Sequence, residues 1–356
     1  MSSDKEKYLK GRGAQINTNN RYLKQQLSQD YWEAIDEELE QNSKTTFIPT
    51  FPKSIINRVD SPDIGLGYSL NPYQGCEHGC IYCYARNTHE YWGFSAGLDF
   101  ERKIIVKQNI TDLLEKEFSN KNWKPLPIML SGNTDCYQPA ERKFRLTRSV
   151  IETCLKFKNP VSIVTKNVLI LRDMDILSEL AQNNLVHVTI SITGVQESTR
   201  QMLEPRTSTY KKRFEALQTL NNRGIPTGIL AAPIIPGLNL HEVPEILKIA
   251  AQSGARSAGY TLVRLNGAVG ELFKDWLFKN HPDKSDKVWN QIAECHGGSV
   301  ADHRFGTRMR GEGKLSEMVK TMFEIYSKKY FADKGQVILR TDLFKSDAGS
   351  GQLSLF

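Results

Sequence analysis

No stretch of the 356 residues is apolar enough to cross a bilayer. The longest apolar runs, Thr227 to Ile235 among them, stop far short of the roughly 20 residues a span needs. The N-terminal MSSDKEKYLKGRGAQ places no apolar stretch after its charges, so no secretory signal is expected. A cytoplasmic protein without a membrane partner is the expectation. A strong excess of one charge is also missing: 47 basic against 40 acidic residues leave a formal +7. That balance tolerates a polyanionic partner without demanding one. Cysteine is sparse, with six in all, and in a reducing compartment disulfides are not expected. What is present is ordinary: 39% apolar and 24% charged residues with 14 Pro, able to bury a core. The length suits one large α/β domain with extensions, or two domains.

Residues 1–65 are polar with scattered aromatics and read as an N-terminal extension, with a helix expected over 25–40. From Gly67 strands and helices alternate. Strands are expected over Tyr68–Tyr73, Pro127–Leu130, Val161–Thr165, Val186–Ile192, Ile229–Ala232 and Ala258–Leu265, with a short extra strand at Ile104–Lys107. Helices are expected over Ile81–Tyr91, Thr111–Phe118, Leu146–Phe157, Leu169–Gln182, Lys212–Asn222 and His241–Gln252. Leu169, Ile170, Met174, Ile176, Leu177 and Leu180 repeat at helical spacing, and Gly224 and Gly254 stand where C-caps belong. Such βα repeats with crossover-length helices imply a parallel sheet. Six units instead of eight imply an α/β fold with a partial (β/α)6 TIM-like barrel, residues 66–266. A helical C-terminal region, 267–345, and a small-residue tail, 346–356, follow.

Three of the six cysteines fall in NPYQGCEHGCIYCYAR, residues 71–86, as C-x3-C-x2-C. Clustered cysteines in a reducing compartment point to metal. Thiolates are the natural ligands of iron–sulfur clusters, and four saturate a cubane. Three here, Cys76, Cys80 and Cys83, leave one iron open for a substrate. Gly75 and Gly79 let the loop wrap closely. The alternative is zinc, with His78 as a further ligand, although zinc sites favour C-x2-C pairs. The loop follows the first strand, at the end of the barrel where active sites lie.

C-x3-C-x-aromatic-C, with Tyr82 as the aromatic, resembles the signature of the radical S-adenosylmethionine (SAM) superfamily. Within it the chain is similar to the spore photoproduct lyase-like group, often labelled DNA repair photolyase-related. The blocks NPYQGCEHGCIYCYAR, SGNTDCYQPAER, SIVTKN, SITG, EPRTSTYKKRFEAL and LAAPIIPGLN carry the resemblance from about Pro62 to Leu265, and DHRFGTRMRGEG suggests a widespread branch of that group.

The resemblance implies a lyase-like enzyme with a [4Fe–4S] cluster on Cys76, Cys80 and Cys83. SAM would chelate the open iron and, on one-electron reduction, yield a 5′-deoxyadenosyl radical that abstracts hydrogen from substrate. It implies an electron donor such as flavodoxin or ferredoxin. It places SAM contacts at Ser131, Gly132 and Asn133 after the second strand, at Lys166, and at Ser191. Cys136 matches a cysteine that returns hydrogen to product, but stands after the Thr134–Asp135 pair instead of before it; the alternative is a buried thiol. Cys154 reads as core. Cys295, near His296 and His303, allows a second metal or a plain helix end.

Two substrates stay open. Damaged or modified DNA is suggested by the resemblance and by the basic stretches 206–213 and 304–314, which suit phosphates. Arg206, Arg304 and Arg308 could equally serve internal ion pairs. The other reading is a protein, peptide or small molecule, or a non-catalytic cluster-bearing partner of replication and repair. The last five residues carry an apolar tip on a flexible tether. Gln352, Leu353, Leu355 and Phe356 resemble the motif by which bacterial repair and replication proteins bind the DNA polymerase III sliding clamp.

Overall fold

The computed structural model describes residues 8–23, 44–65, 67–335 and 337–346. The expected helix 25–40 and the tail motif both lie entirely outside the described residues. The chain forms β1 (Thr46–Thr50), β2 (Asn57–Arg58), β3 (Tyr68–Leu70), β4 (Tyr73–Gln74), β5 (Lys103–Lys107), β6 (Ile128–Leu130), β7 (Val161–Thr165), β8 (Val186–Ser191), β9 (Thr227–Ile234) and β10 (Ser257–Leu262). The main sheet runs in the order β10-β9-β8-β7-β6-β3-β2. Its first six members are mutually parallel, and β2 pairs antiparallel with β3 at the edge. These six are the strands of a partial barrel, each following its neighbour in chain order.

The strands form where apolar and β-branched residues alternate across the pleat. Val161, Ile163 and Thr165 of β7, and Val186, Val188 and Ile190 of β8, point into one core. Helices cover the outer face with their apolar stripes. Leu146–Phe157 buries Val150, Ile151, Cys154 and Phe157, so Cys154 is core. Met174–Gln182 buries Ile176, Leu177 and Leu180.

Several expectations change. The helix expected over Leu169–Gln182 is a 3-10 segment, Val168–Asp173, followed by the α-helix Met174–Gln182. The strand expected over Tyr68–Tyr73 breaks into β3 and β4 at Asn71 and Pro72, because Pro72 has no N–H to donate to a ladder; its carbonyl accepts Lys107 N at 3.2 Å instead. The extra strand near Ile104 joins a second sheet, β1-β5-β4. The helix expected from Ile81 is a 3-10 segment, Tyr84–Trp92, that starts only after Cys83, whose backbone is extended.

Parallel strands send all their carboxyl ends to one side, and every candidate cofactor residue of the sequence follows one of those ends. After β10 the chain turns helical, with Ala268–Asn280, Ser285–Glu294 and Gly313–Phe331.

Candidate active site

The cysteine loop is shaped by two left-handed glycines, Gly75 at φ +82° and Gly79 at φ +70°. Backbone and side chains then hold it at several points. Cys76 N donates to Phe100 O at 2.9 Å and Ile81 N to Leu203 O at 3.2 Å. The Gln138 side chain clamps it twice, donating to Gly75 O at 2.9 Å and accepting from Glu77 N at 3.1 Å. Arg86 has no solvent exposure. Its Nε donates to Cys80 O at 3.0 Å and its Nη2 to Glu101 Oε1 at 2.6 Å.

The N-terminal residues complete this arrangement. Gly13 N and Ala14 N donate to the Glu101 carboxylate at 3.3 and 2.9 Å. Further along, Thr18 N donates to Ser95 Oγ and the Asn20 amide to Glu90 O, both at 2.8 Å. Residues 11–20 therefore lie as a strap across the outer side of the loop.

All six cysteines are free thiols. Cys76 and Cys80 are buried and Cys83 is half-buried. Burial pushes the three thiols above their ordinary range, and at Cys76 the nearby Asp135, Cys80 and Cys83 add to the push. Such a trio becomes thiolate when a cation arrives. Among the described residues, no three His, Cys, Asp or Glu side chains converge tightly enough for a single metal ion. His78 is committed elsewhere: its Nδ1 is 3.4 Å from Asp135 Oδ2 and its Nε2 3.3 Å from the Asn167 amide. Burial holds its pKa down at about 4.

The other strand ends meet this loop. After β6, Ser131 takes φ +69° and its Oγ accepts from Cys136 N at 2.8 Å. Gly132 O accepts the Tyr84 hydroxyl at 2.7 Å. Asn133 spends its N on Asn71 Oδ1 and its Nδ2 on Gln74 and Thr88. Its Oδ1 is buried with no partner. After β7, the Lys166 ammonium hydrogen-bonds Ser191 Oγ, at the end of β8, and lies 3.6 Å from Glu204 Oε1. Lys166 and Ser191 thus come together.

Glu204 is the residue that sequence reasoning missed. It is fully buried and accepts from Arg213 Nη2 at 2.6 Å and from the Tyr82 and Thr193 hydroxyls. Burial alone would raise its pKa, but the Arg213 and Lys166 cations outweigh it and hold the carboxyl down at about 2. The only signal was its place in the block EPRTSTYKKR. Tyr82, noted as the aromatic of the cysteine signature, ties the loop to this carboxylate.

Cys136 is fully buried and packs in the barrel core with Leu70, Leu130 and Tyr137. Arg206 is 3.6 Å from Glu77, Arg304 pairs with Asp302 and Glu312 at 2.9 and 2.7 Å, and Arg308 with Asp63 at 2.6 Å. These arginines serve internal pairs. Next to Cys295, His296 is buried against Val263 O at 2.8 Å and Asp302 at 3.3 Å, and His303 Nδ1 meets the Asn266 amide. Among the described residues these groups form no metal site.

The radical SAM superfamily model matches residues 70–250. The chain belongs to the radical SAM superfamily. An uncharacterised protein of Mycobacterium tuberculosis is 31% identical over 241 residues, covering 67% of this chain and 71% of that protein. An uncharacterised protein of Methanocaldococcus jannaschii is 31% identical over 252 residues, covering 71% and 90%. Spore photoproduct lyase complexed with dinucleoside spore photoproduct has the same fold, with TM-score 0.58 and 16% identity over 85% of each chain. A mutant form of that lyase with bound AdoMet and dinucleoside spore photoproduct gives a TM-score of 0.61.

This radical SAM protein is therefore an enzyme whose cofactors are a [4Fe–4S] cluster and SAM, and radical SAM enzymes draw electrons from a reductant. Its residues fit both groups. The three thiols, two buried and one half-buried, suit a cubane with one open iron, and the orphaned Asn133 Oδ1 is an acceptor suited to the SAM amino group. No helix among the described residues is long and apolar enough to cross a membrane.

Proposed function

We propose that Cys76, Cys80 and Cys83 hold the cluster, that Asn133, Lys166 and Ser191 bind SAM with backbone support from Ser131 and Gly132, and that the substrate is a damaged or modified nucleic-acid base. The bound cofactor pair supplies a 5′-deoxyadenosyl radical. The protein's own task is to orient SAM and to keep water from it. The observation that carries this reading is the meeting of three clustered thiols, two of them buried, with the Lys166–Ser191 pair and the unpartnered Asn133 oxygen at one end of the sheet. A lysine ammonium is suited to a carboxylate such as that of SAM.

The nucleic-acid part is supported by the fold shared with spore photoproduct lyase and by the clamp-like tail. A flavodoxin or ferredoxin is the proposed reductant, and the bacterial sliding clamp the proposed partner of Gln352, Leu353, Leu355 and Phe356. The internal pairing of Arg206, Arg304 and Arg308 favours a substrate taken at the barrel mouth over one gripped by a broad basic face. The test is anaerobic reconstitution followed by SAM turnover with and without ultraviolet-damaged DNA. Release of 5′-deoxyadenosine stimulated by damaged DNA, with loss of the lesion, is the expected result. Turnover indifferent to DNA, and stimulated by a peptide instead, would replace this substrate reading.

A further inference from the structure

Arg264 stands two residues beyond β10, at the mouth of the barrel. Its backbone is fixed on both sides, with Val263 N donating to Ile234 O at 2.9 Å and Leu265 N to Val300 O at 2.8 Å. Its half-buried side chain donates from Nη1 to the carbonyl of Arg308 at 3.3 Å. Among the described residues no carboxylate reaches it at ion-pair distance. Among the described residues, the charged groups acting most strongly on it are Arg308, Asp63 and Asp302. Asp63 is already taken by Arg308 Nε at 2.6 Å and Gly306 N at 2.7 Å. Asp302 is taken by Arg304 and His296. Arg264 therefore faces a like charge, Arg308, and two carboxylates that serve others. Burial and Arg308 both push its pKa below the usual arginine value.

Tyr84 lies on the neighbouring 3-10 segment, which the Asn87 amide ties to Asn266 O, two residues past Arg264, at 2.7 Å. It opens the 3-10 segment that follows Cys83, and its hydroxyl is fixed on Gly132 O. Its position is thus set from the β6 end of the mouth, yet the residue remains 49% exposed. A desolvated cation is unfavourable without a counter-ion. Arg206, Arg304 and Arg308 have theirs within the chain, whereas Arg264 has none among the described residues.

We propose that Arg264 anchors a phosphate of the substrate and that Tyr84 gives the stacking face for an adjacent base. The ligand class is an unpaired nucleotide unit, from a single strand or flipped out of a duplex. Arginine recognises phosphate through its planar fork, and unstacked bases are held on aromatic faces. A base presented for chemistry has to leave its stack. This inference rests on the nucleic-acid reading above and locates its contact at two residues outside the cofactor set.

The test uses the reconstituted full chain and a fluorescein-labelled twelve-residue oligothymidylate, read by anisotropy over a salt series. Wild type is compared with Arg264→Gln, Arg264→Lys, Tyr84→Ala and Arg223→Gln. The last is a control at an exposed helix end on the opposite face. Arg264→Gln is expected to weaken binding roughly tenfold and to lower the log–log salt slope by about 0.7, one phosphate contact of a single strand. Tyr84→Ala is expected to lose roughly tenfold with an unchanged slope. Arg223→Gln should behave as wild type. Wild-type affinity and slope in Arg264→Gln would overturn the inference. If melting shows that variant to be unfolded, Arg264→Lys decides: weaker binding at unchanged slope supports the inference, and wild-type affinity overturns it. No binding by the wild type even at low salt would instead sink the nucleic-acid reading and this inference with it.

Discussion

A Cβ added to Gly13 would sit 1.7 Å from the carbonyl oxygen of Gly79, the residue before Cys80. The N-terminal strap approaches the cysteine loop so closely that only a residue without a side chain fits. Gly13→Ala is therefore expected to lift the strap and strip the Gly13 and Ala14 amides from the buried Glu101 carboxylate. The cost should be about 1.5–3 kcal/mol, the range for hydrogen bonds to a charged group. Thermal melting and the rate at which the reconstituted protein bleaches in air check this. Wild-type values of both would show that the strap does not support the loop.

Glu204 and Arg213 form a pair with no solvent exposure. Removing one partner of such a pair leaves an uncompensated buried charge, so Glu204→Gln is expected to destabilise the cofactor-free protein by about 3–5 kcal/mol at neutral pH. The sign of the pH dependence follows from the lowered pKa. The ordinary value is 4.5 and the folded value about 2, so this contribution is full above pH 4.5 and is lost as pH falls towards 2. The variant should show a flatter acid limb over that window in melting curves. An acid limb identical to wild type would contradict the assignment.

Cys136 sits in the core, so Cys136→Ala should cost about 1–2 kcal/mol through lost packing and leave the product profile with the true substrate unchanged. Continued SAM cleavage with a stalled or altered product would return Cys136 to the hydrogen-donor role that its sequence position suggests.

Deleting Gln352 to Phe356 should abolish binding of purified bacterial sliding clamp, since apolar anchors dominate small interfaces. Surface plasmon resonance with the full chain and the truncated chain checks this. Equal binding by both, or none by either, would remove the tail as a clamp ligand.

Much of the barrel was legible because its signals are periodic or local. Val161–Thr165 and Val186–Ser191 are β-branched runs, and the helix Leu146–Phe157 repeats apolar residues every three or four positions. The cysteine loop declares itself by spacing alone. The strap carries no such signal: Gly13 acts through a missing side chain and Ala14 through a backbone N–H, neither of which leaves a pattern. Glu204 was obscured for a different reason. Its partners Tyr82, Lys166, Thr193 and Arg213 come from four separate segments, and only the fold brings them together. The arginines of the basic stretches looked available for phosphate until their carboxylates, Glu77, Asp302 and Asp63, were seen beside them.

The central claim is that Cys76, Cys80 and Cys83 together hold a cubane with one open iron. Anaerobically reconstituted wild type should contain about four irons per chain and release 5′-deoxyadenosine from SAM on reduction. Cys76→Ala, Cys80→Ala and Cys83→Ala should each lose the iron and the cleavage, while Cys154→Ala keeps both. Stoichiometric zinc without iron in the reconstituted wild type, or SAM cleavage surviving in any of the three variants, would contradict the account.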